Sequence, residues 1–164
     1  MNEKVYTNPT INRAGWSRGA WDDEPDKVSW VDEATRLPCL AKRNTFGAWC
    51  GYVGVPPEHP LYRVSDFDDA DVHGGITYAD ACQDGPPEQT ICHVPEPGES
   101  DNVWWFGFDC GHGMDLIPGM EALMPSHLQS LLGMNSTYRT LEYVKNECVK
   151  LARQLKMNHK EDPF

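Results

Sequence analysis

The sequence predicts an α+β fold: a mostly antiparallel sheet of about five or six strands packed against a C-terminal amphipathic helix. Three observations carry this. Short aromatic and β-branched runs fill residues 27–111. The joints between them are turn-like and too short for crossover helices, which favours antiparallel pairing. In the last third, Leu141, Val144, Cys148, Leu151 and Leu155 recur at helical spacing and draw one apolar stripe.

The chain of 164 residues suits a single domain with a core of its own. Residues 1–26, rich in Asn, Gly, Asp and Trp, read as an irregular arm that packs through Trp16 and Trp21. Val28, Trp30 and Val31 mark a first strand, and 32–36 its connection. Leu37 to Arg43 is a second strand and Gly47 to Val55 a third, closed by Pro56-Pro57. Alternation gives the third strand two faces, Trp49/Gly51/Val53 and Cys50/Tyr52/Gly54, one of them expected in the core. After an acidic loop, Asp71 to Tyr78 is expected to enter another strand through the His73-Gly74-Gly75 corner. Thr90 to Val94 is read as a short strand, and Val103 to Cys110 as the clearest one. A helical region spans 116–157: a short helix over Met120–Leu132, interrupted by Pro125, then a long one over Thr137–Met157 capped by Ser136 or Thr137.

Acidic residues outnumber basic ones 25 to 14, for a net charge of −11. Nucleic-acid binding needs a basic patch, so this balance argues against it and favours a basic protein surface as partner. The opening residues lack the apolar core of a signal peptide, and no apolar run approaches the ~20 residues that span a bilayer. A cytoplasmic location without membrane contact is therefore expected. In such a setting the six cysteines are expected to be free, four of them acting as small buried hydrophobes. No CxxC pair is present to make a zinc ribbon.

Two clusters carry candidate chemistry. In an extended chain Asp69, Asp71 and His73 share a face, a set able to hold a divalent cation or to move protons. Asp109, His112 and Asp115 sit on a Gly-rich turn just after the clearest strand. If the two clusters meet, Asp71, His73, Asp109 and His112 are candidate catalytic groups. Asp69, Asp71, His73, His112 and Asp115 are then candidate ligands for Zn, Mn or Fe. A Cys110/His112 nucleophilic pair is a weaker option. The plainer readings are a solvated acidic loop and a structural corner in which Asp109 caps turn amides. A third feature, Trp49 to Tyr62, frames a pocket wall with His59 and Tyr62 at its rim; Tyr52, His59, Tyr62, His73 and Trp105 are the candidate ligand-binding residues. No phosphate loop, nucleophile elbow or HExxH helix occurs.

Several segments resemble a family of uncharacterised bacteriophage and prophage proteins: Cys50-Gly51-Tyr52-Val53-Gly54-Val55-Pro56-Pro57 with His59-Pro60-Leu61-Tyr62, Asp71 to Tyr78, Ile91 to Glu99, and Val103 to Asp115. The likeness runs from about Trp21 to Leu155 and includes Tyr138, Leu141, Tyr143 and Val144. Around Gly113-Met114-Asp115 the chain departs from the family pattern by one residue. The resemblance implies a phage origin, and host cytoplasm as location, but no reaction. The expected function is that of an accessory protein that binds a host or defence protein, or a small-molecule ligand. The alternative is a metal-dependent hydrolase at the His/Asp site, and a virion component is a weaker third.

Overall fold

The computed structural model describes residues 3–125, 127–128 and 136–161. Its centre is a six-stranded sheet ordered β1-β2-β3-β4-β6-β5, with every neighbouring pair antiparallel. The strands are β1 Lys4–Tyr6, β2 Lys27–Val31, β3 Pro38–Arg43, β4 Trp49–Val55, β5 Tyr78–Ala81 and β6 Trp104–Asp109. A 3-10 turn spans Ala20–Asp23, and after the sheet come the helices α1 Pro118–Ala122 and α2 Leu141–Glu161. The expected α+β architecture is what the chain adopts.

Helix α2 lies on β3 and β4. Its Val144, Cys148, Leu151 and Leu155 are fully buried against Trp49, Val53, Phe106 and Phe108. Gly51 makes this approach possible: a Cβ there would lie 2.4 Å from the Phe108 ring and 2.8 Å from the Cys148 sulfur. The opposite face of the sheet is buried as well. Leu40, Tyr52 and Trp105 pack there with Ile91, under the segment that follows β5.

Several expectations need correction. The arm contains a strand, because Lys4–Tyr6 pairs with β2. The His73-Gly74-Gly75 corner forms as expected, with Gly74 and Gly75 at positive φ and the His73 amide donating to Glu147, but the strand it leads to, β5, begins only at Tyr78. Residues 90–94 form no strand either. Their neighbourhood is organised by the Lys27 ammonium, which donates to the carbonyls of Pro87, Thr90 and Cys92. Burial, with the repulsion of Lys42, pulls Lys27 down to about 8. Cys82 and Cys92 form a disulfide, against the expectation of free thiols, while Cys39, Cys110 and Cys148 are buried and free. The short helix runs Pro118–Ala122 and stops before Pro125. Residues 126 and 129–132 of the expected helix lie outside the described residues. The long helix starts later than expected because Thr137 pairs with Asp115 as an isolated bridge. Thr140 Oγ1 instead accepts from the Tyr143 amide, as an N-cap does.

One buried cation ties these parts together. The Arg43 guanidinium is inaccessible to solvent and sits 4.4 Å from the centre of the Trp49 ring. It pairs with Glu24 at 3.0 Å and Asp26 at 3.6 Å. It also donates to the Pro25 and Gly47 carbonyls and to the Tyr138 hydroxyl. Glu24 in turn accepts from the Trp49 indole, the Tyr138 hydroxyl and the Leu141 amide at the start of α2. A carboxylate there also complements the helix dipole. Arg43→Ala leaves Glu24 without its cation and Asp26 with Arg13 alone, so it is expected to cost ~3 kcal/mol in urea unfolding. A loss below about 1 kcal/mol would show that the network is dispensable.

Candidate functional site

The first His/Asp cluster and the second do meet. The 71–77 turn, the corner after β6 and the first turns of α2 converge beside the sheet. His73 Nε2 lies 2.9 Å from Asp115 Oδ2, and His73 Nδ1 lies 2.8 Å from the Tyr143 hydroxyl. With the Nε2 proton directed at the carboxylate, Nδ1 accepts from Tyr143. Asp115, with a side chain only 1% exposed, also accepts from Arg139 Nε at 2.9 Å and from the His112 amide at 3.1 Å. Burial alone would raise the Asp115 carboxyl. The hydrogen bonds from His73, Arg139 and the His112 amide outweigh it and hold the group below its ordinary range. Tyr143 is pushed up by its burial and by Glu147, so it stays a protonated donor.

His112 stacks over the same corner. Its ring centre is 6.0 Å from that of His73, and Gly74 must be glycine because a Cβ there would lie 2.2 Å from His112 Nε2. Asp109 accepts from the Gly111 amide and the Thr77 hydroxyl, with His112 Nε2 3.4 Å away. This is the turn-capping role of the plainer reading.

The geometry is that of a clasp rather than a metal centre. Both ring nitrogens of His73 are engaged, and Asp115 is saturated by three donors. Asp71 turns elsewhere: its amide and carbonyl bond Gln154 on α2, and its exposed carboxylate faces Lys150 at 3.8 Å. Asp69 is exposed. Among the described residues, ligand atoms close enough for one ion are found at Cys82, Cys92 and His93, not in the set Asp69, Asp71, His73, His112 and Asp115. Cys110 is buried with its thiol pushed up, chiefly by burial and then by Asp115, so it is no ready nucleophile. Arg139 and Glu147 were not singled out in the sequence, and Tyr143 was named only among the family-like residues; a spacing of four puts Tyr143 and Glu147 on one stripe of α2.

The expected ligand-binding residues do not share a pocket. Tyr52 and Trp105 are buried on the second sheet face, where Tyr52 meets Tyr78 edge to face and Trp105 donates to the Cys82 sulfur. His59 is 3% exposed and holds the Pro-rich exit of β4 to α2 through the Leu155 carbonyl and the Leu61 amide. Tyr62 bonds Asn102. The concavity lies elsewhere, as a cleft of about 830 Å³ where the β2–β3 connection, the Pro56-Pro57 exit and the 93–103 loop meet. Its apolar lining includes Val31, Leu37, Pro38, Pro57 and Val103. Four exposed carboxylates, Glu33, Glu58, Glu96 and Glu99, stand against two cations, Lys4 and Arg36. Lys4 is already taken by Glu96 and the Val94 carbonyl. The lining comes from separate loops, and the Pro56-Pro57 exit expected to frame a pocket wall is one of them.

Fold and site thus define an antiparallel α+β domain with a polar clasp on one side and an acid-rimmed cleft on another. No family model matches the chain, and neither the curated proteins nor the solved structures compared with it contain a match. No helix among the described residues is long and apolar enough to cross a membrane.

The clasp makes a pH-dependent prediction. A carboxyl held low in the folded state contributes stability above its unfolded value, here 3.8, and loses it as pH falls through the folded value. Asp115→Asn should therefore be less stable than wild type at neutral pH. That gap should narrow below pH 3.8 in denaturation followed by circular dichroism. A gap that does not change with pH would contradict the clasp.

Proposed function

We propose that this protein acts by binding, and that its cleft holds a Lys/Arg-rich, extended segment of a protein partner. The observation that carries this reading is the cleft itself, lined by apolar and proline residues together with carboxylates that outnumber cations. Such carboxylates attract a basic chain at long range, and the apolar lining receives its apolar side chains. The net charge of −11 extends the same field over the whole molecule. The motif resemblance to phage proteins points to a host or defence protein as the source of that segment. A small-molecule ligand fits less well, because the open rim offers more charge than enclosure. The hydrolase alternative would require His73 to release Asp115 or Tyr143 before it met a metal or a substrate.

The test uses a short synthetic peptide of Lys, Pro and Leu, with its Glu counterpart as control, followed by calorimetry and NMR shift mapping. The basic peptide should bind, more weakly at high salt, and shift the 31–38 and 93–103 resonances. Glu33→Gln with Glu58→Gln and Glu99→Gln should weaken it about tenfold. Asp66→Asn with Asp68→Asn and Asp69→Asn makes the same change in net charge away from the cleft and should leave affinity nearly intact. Equal losses in both triple variants, or no binding, would overturn the proposal.

A further inference from the structure

A second site lies where the segment after β5 folds back over the sheet. Cys82, Cys92 and one ring nitrogen of His93 bring their ligand atoms within 4.8 Å of one another. The two cysteines have Cα atoms 4.8 Å apart and are joined as a disulfide in this structure. A disulfide consumes both sulfurs, yet the surroundings are built for more than a covalent staple. His93 Nδ1 is buried and has no hydrogen-bond partner, which is unusual for a buried polar atom. The Trp105 indole N–H donates to the Cys82 sulfur at 3.3 Å. The Lys27 ammonium binds the Cys92 carbonyl at 2.8 Å and fixes the backbone that carries both Cys92 and His93.

We propose that, in the reduced chain, Cys82, Cys92 and His93 form a three-ligand site for a soft divalent metal of the zinc class, and that this site and the disulfide exclude each other. The S₂N donor set is the one zinc prefers. The exchange balances. Two equivalents of a small-molecule thiol reduce the Cys82–Cys92 bond, are themselves oxidised to one disulfide, and leave two protein thiols. The metal ion then displaces the two thiol protons. On the ion the sulfurs separate to the ~3.7 Å set by tetrahedral bonds of about 2.3 Å. The site stands independently of what the cleft binds.

The experiment takes the full chain, oxidised and phosphine-reduced, and titrates each with zinc in competition with a chromogenic chelator and with cobalt(II) as a spectroscopic probe. Reduced protein should take up one ion per chain and give thiolate-to-cobalt charge-transfer absorption; oxidised protein should take up none. Cys92→Ser should abolish binding, His93→Ala should weaken it ~10-fold or more, and His127→Ala should leave it unchanged. The readout on wild type decides the matter even if Cys92→Ser fails to fold, because redox state alone switches the site. Reduced protein that binds no metal, equal uptake in both redox states, or a cobalt spectrum without thiolate bands would each overturn the proposal.

Discussion

The structure depends on Arg43. A guanidinium sealed from water must be paired almost completely, and its partners come from four places: the N-terminal arm, the β3–β4 turn, the Trp49 ring and the residues leading into α2. Glu24 is shared between this cation and the first amide of the helix, so the docking of α2 on the sheet and the anchoring of the arm are one event. Apolar burial supplies the bulk of the driving force. The ion network supplies the register, because only one placement of arm, sheet and helix leaves no charge unpaired.

What was legible in the sequence follows period and side-chain type. β3, β4 and β6 announce themselves through β-branched and aromatic runs, and α2 through its apolar stripe, since both patterns are local. What was not legible depends on distant partners. Lys4–Tyr6 looks irregular until β2 gives it a ladder, and Thr137 looks like a cap until Asp115 claims it as a bridge. Residues 90–94 have strand-forming side chains, but a buried ammonium outbids the sheet for their carbonyls. The Cys82–Cys92 pairing was hidden because the expectation rested on compartment and chain length, not on where a polar loop would return.

The same contrast separates the histidines. Spacing along the chain led to His73 and His112, and the fold does bring them together. It then consumes His73 in a closed chain of hydrogen bonds, so the cluster serves cohesion. His59 is likewise spent on the Leu155 carbonyl and the Leu61 amide. His93 had no motif to recommend it, yet its Nδ1 is the ring nitrogen left without a partner among the described buried side chains. A group whose hydrogen bonds are complete stabilises, and one left incomplete in a folded interior is where further chemistry has room.

The strand order carries a kinetic consequence. β1 to β4 form a meander in which each strand pairs with its neighbour in sequence, so these four can zip up by short-range contacts. β6 must instead find β4 across the whole of β5 and its flanking loops. The entropy of closing that long loop is spent before the β4–β6 ladder or the core against α2 returns anything. The docking of β6 is therefore expected to be the slow step of folding. Residues at the β4–β6 seam, Val53 and Phe106 among them, are then expected to set how fast the chain folds, and the arm with its ion network how slowly it comes apart.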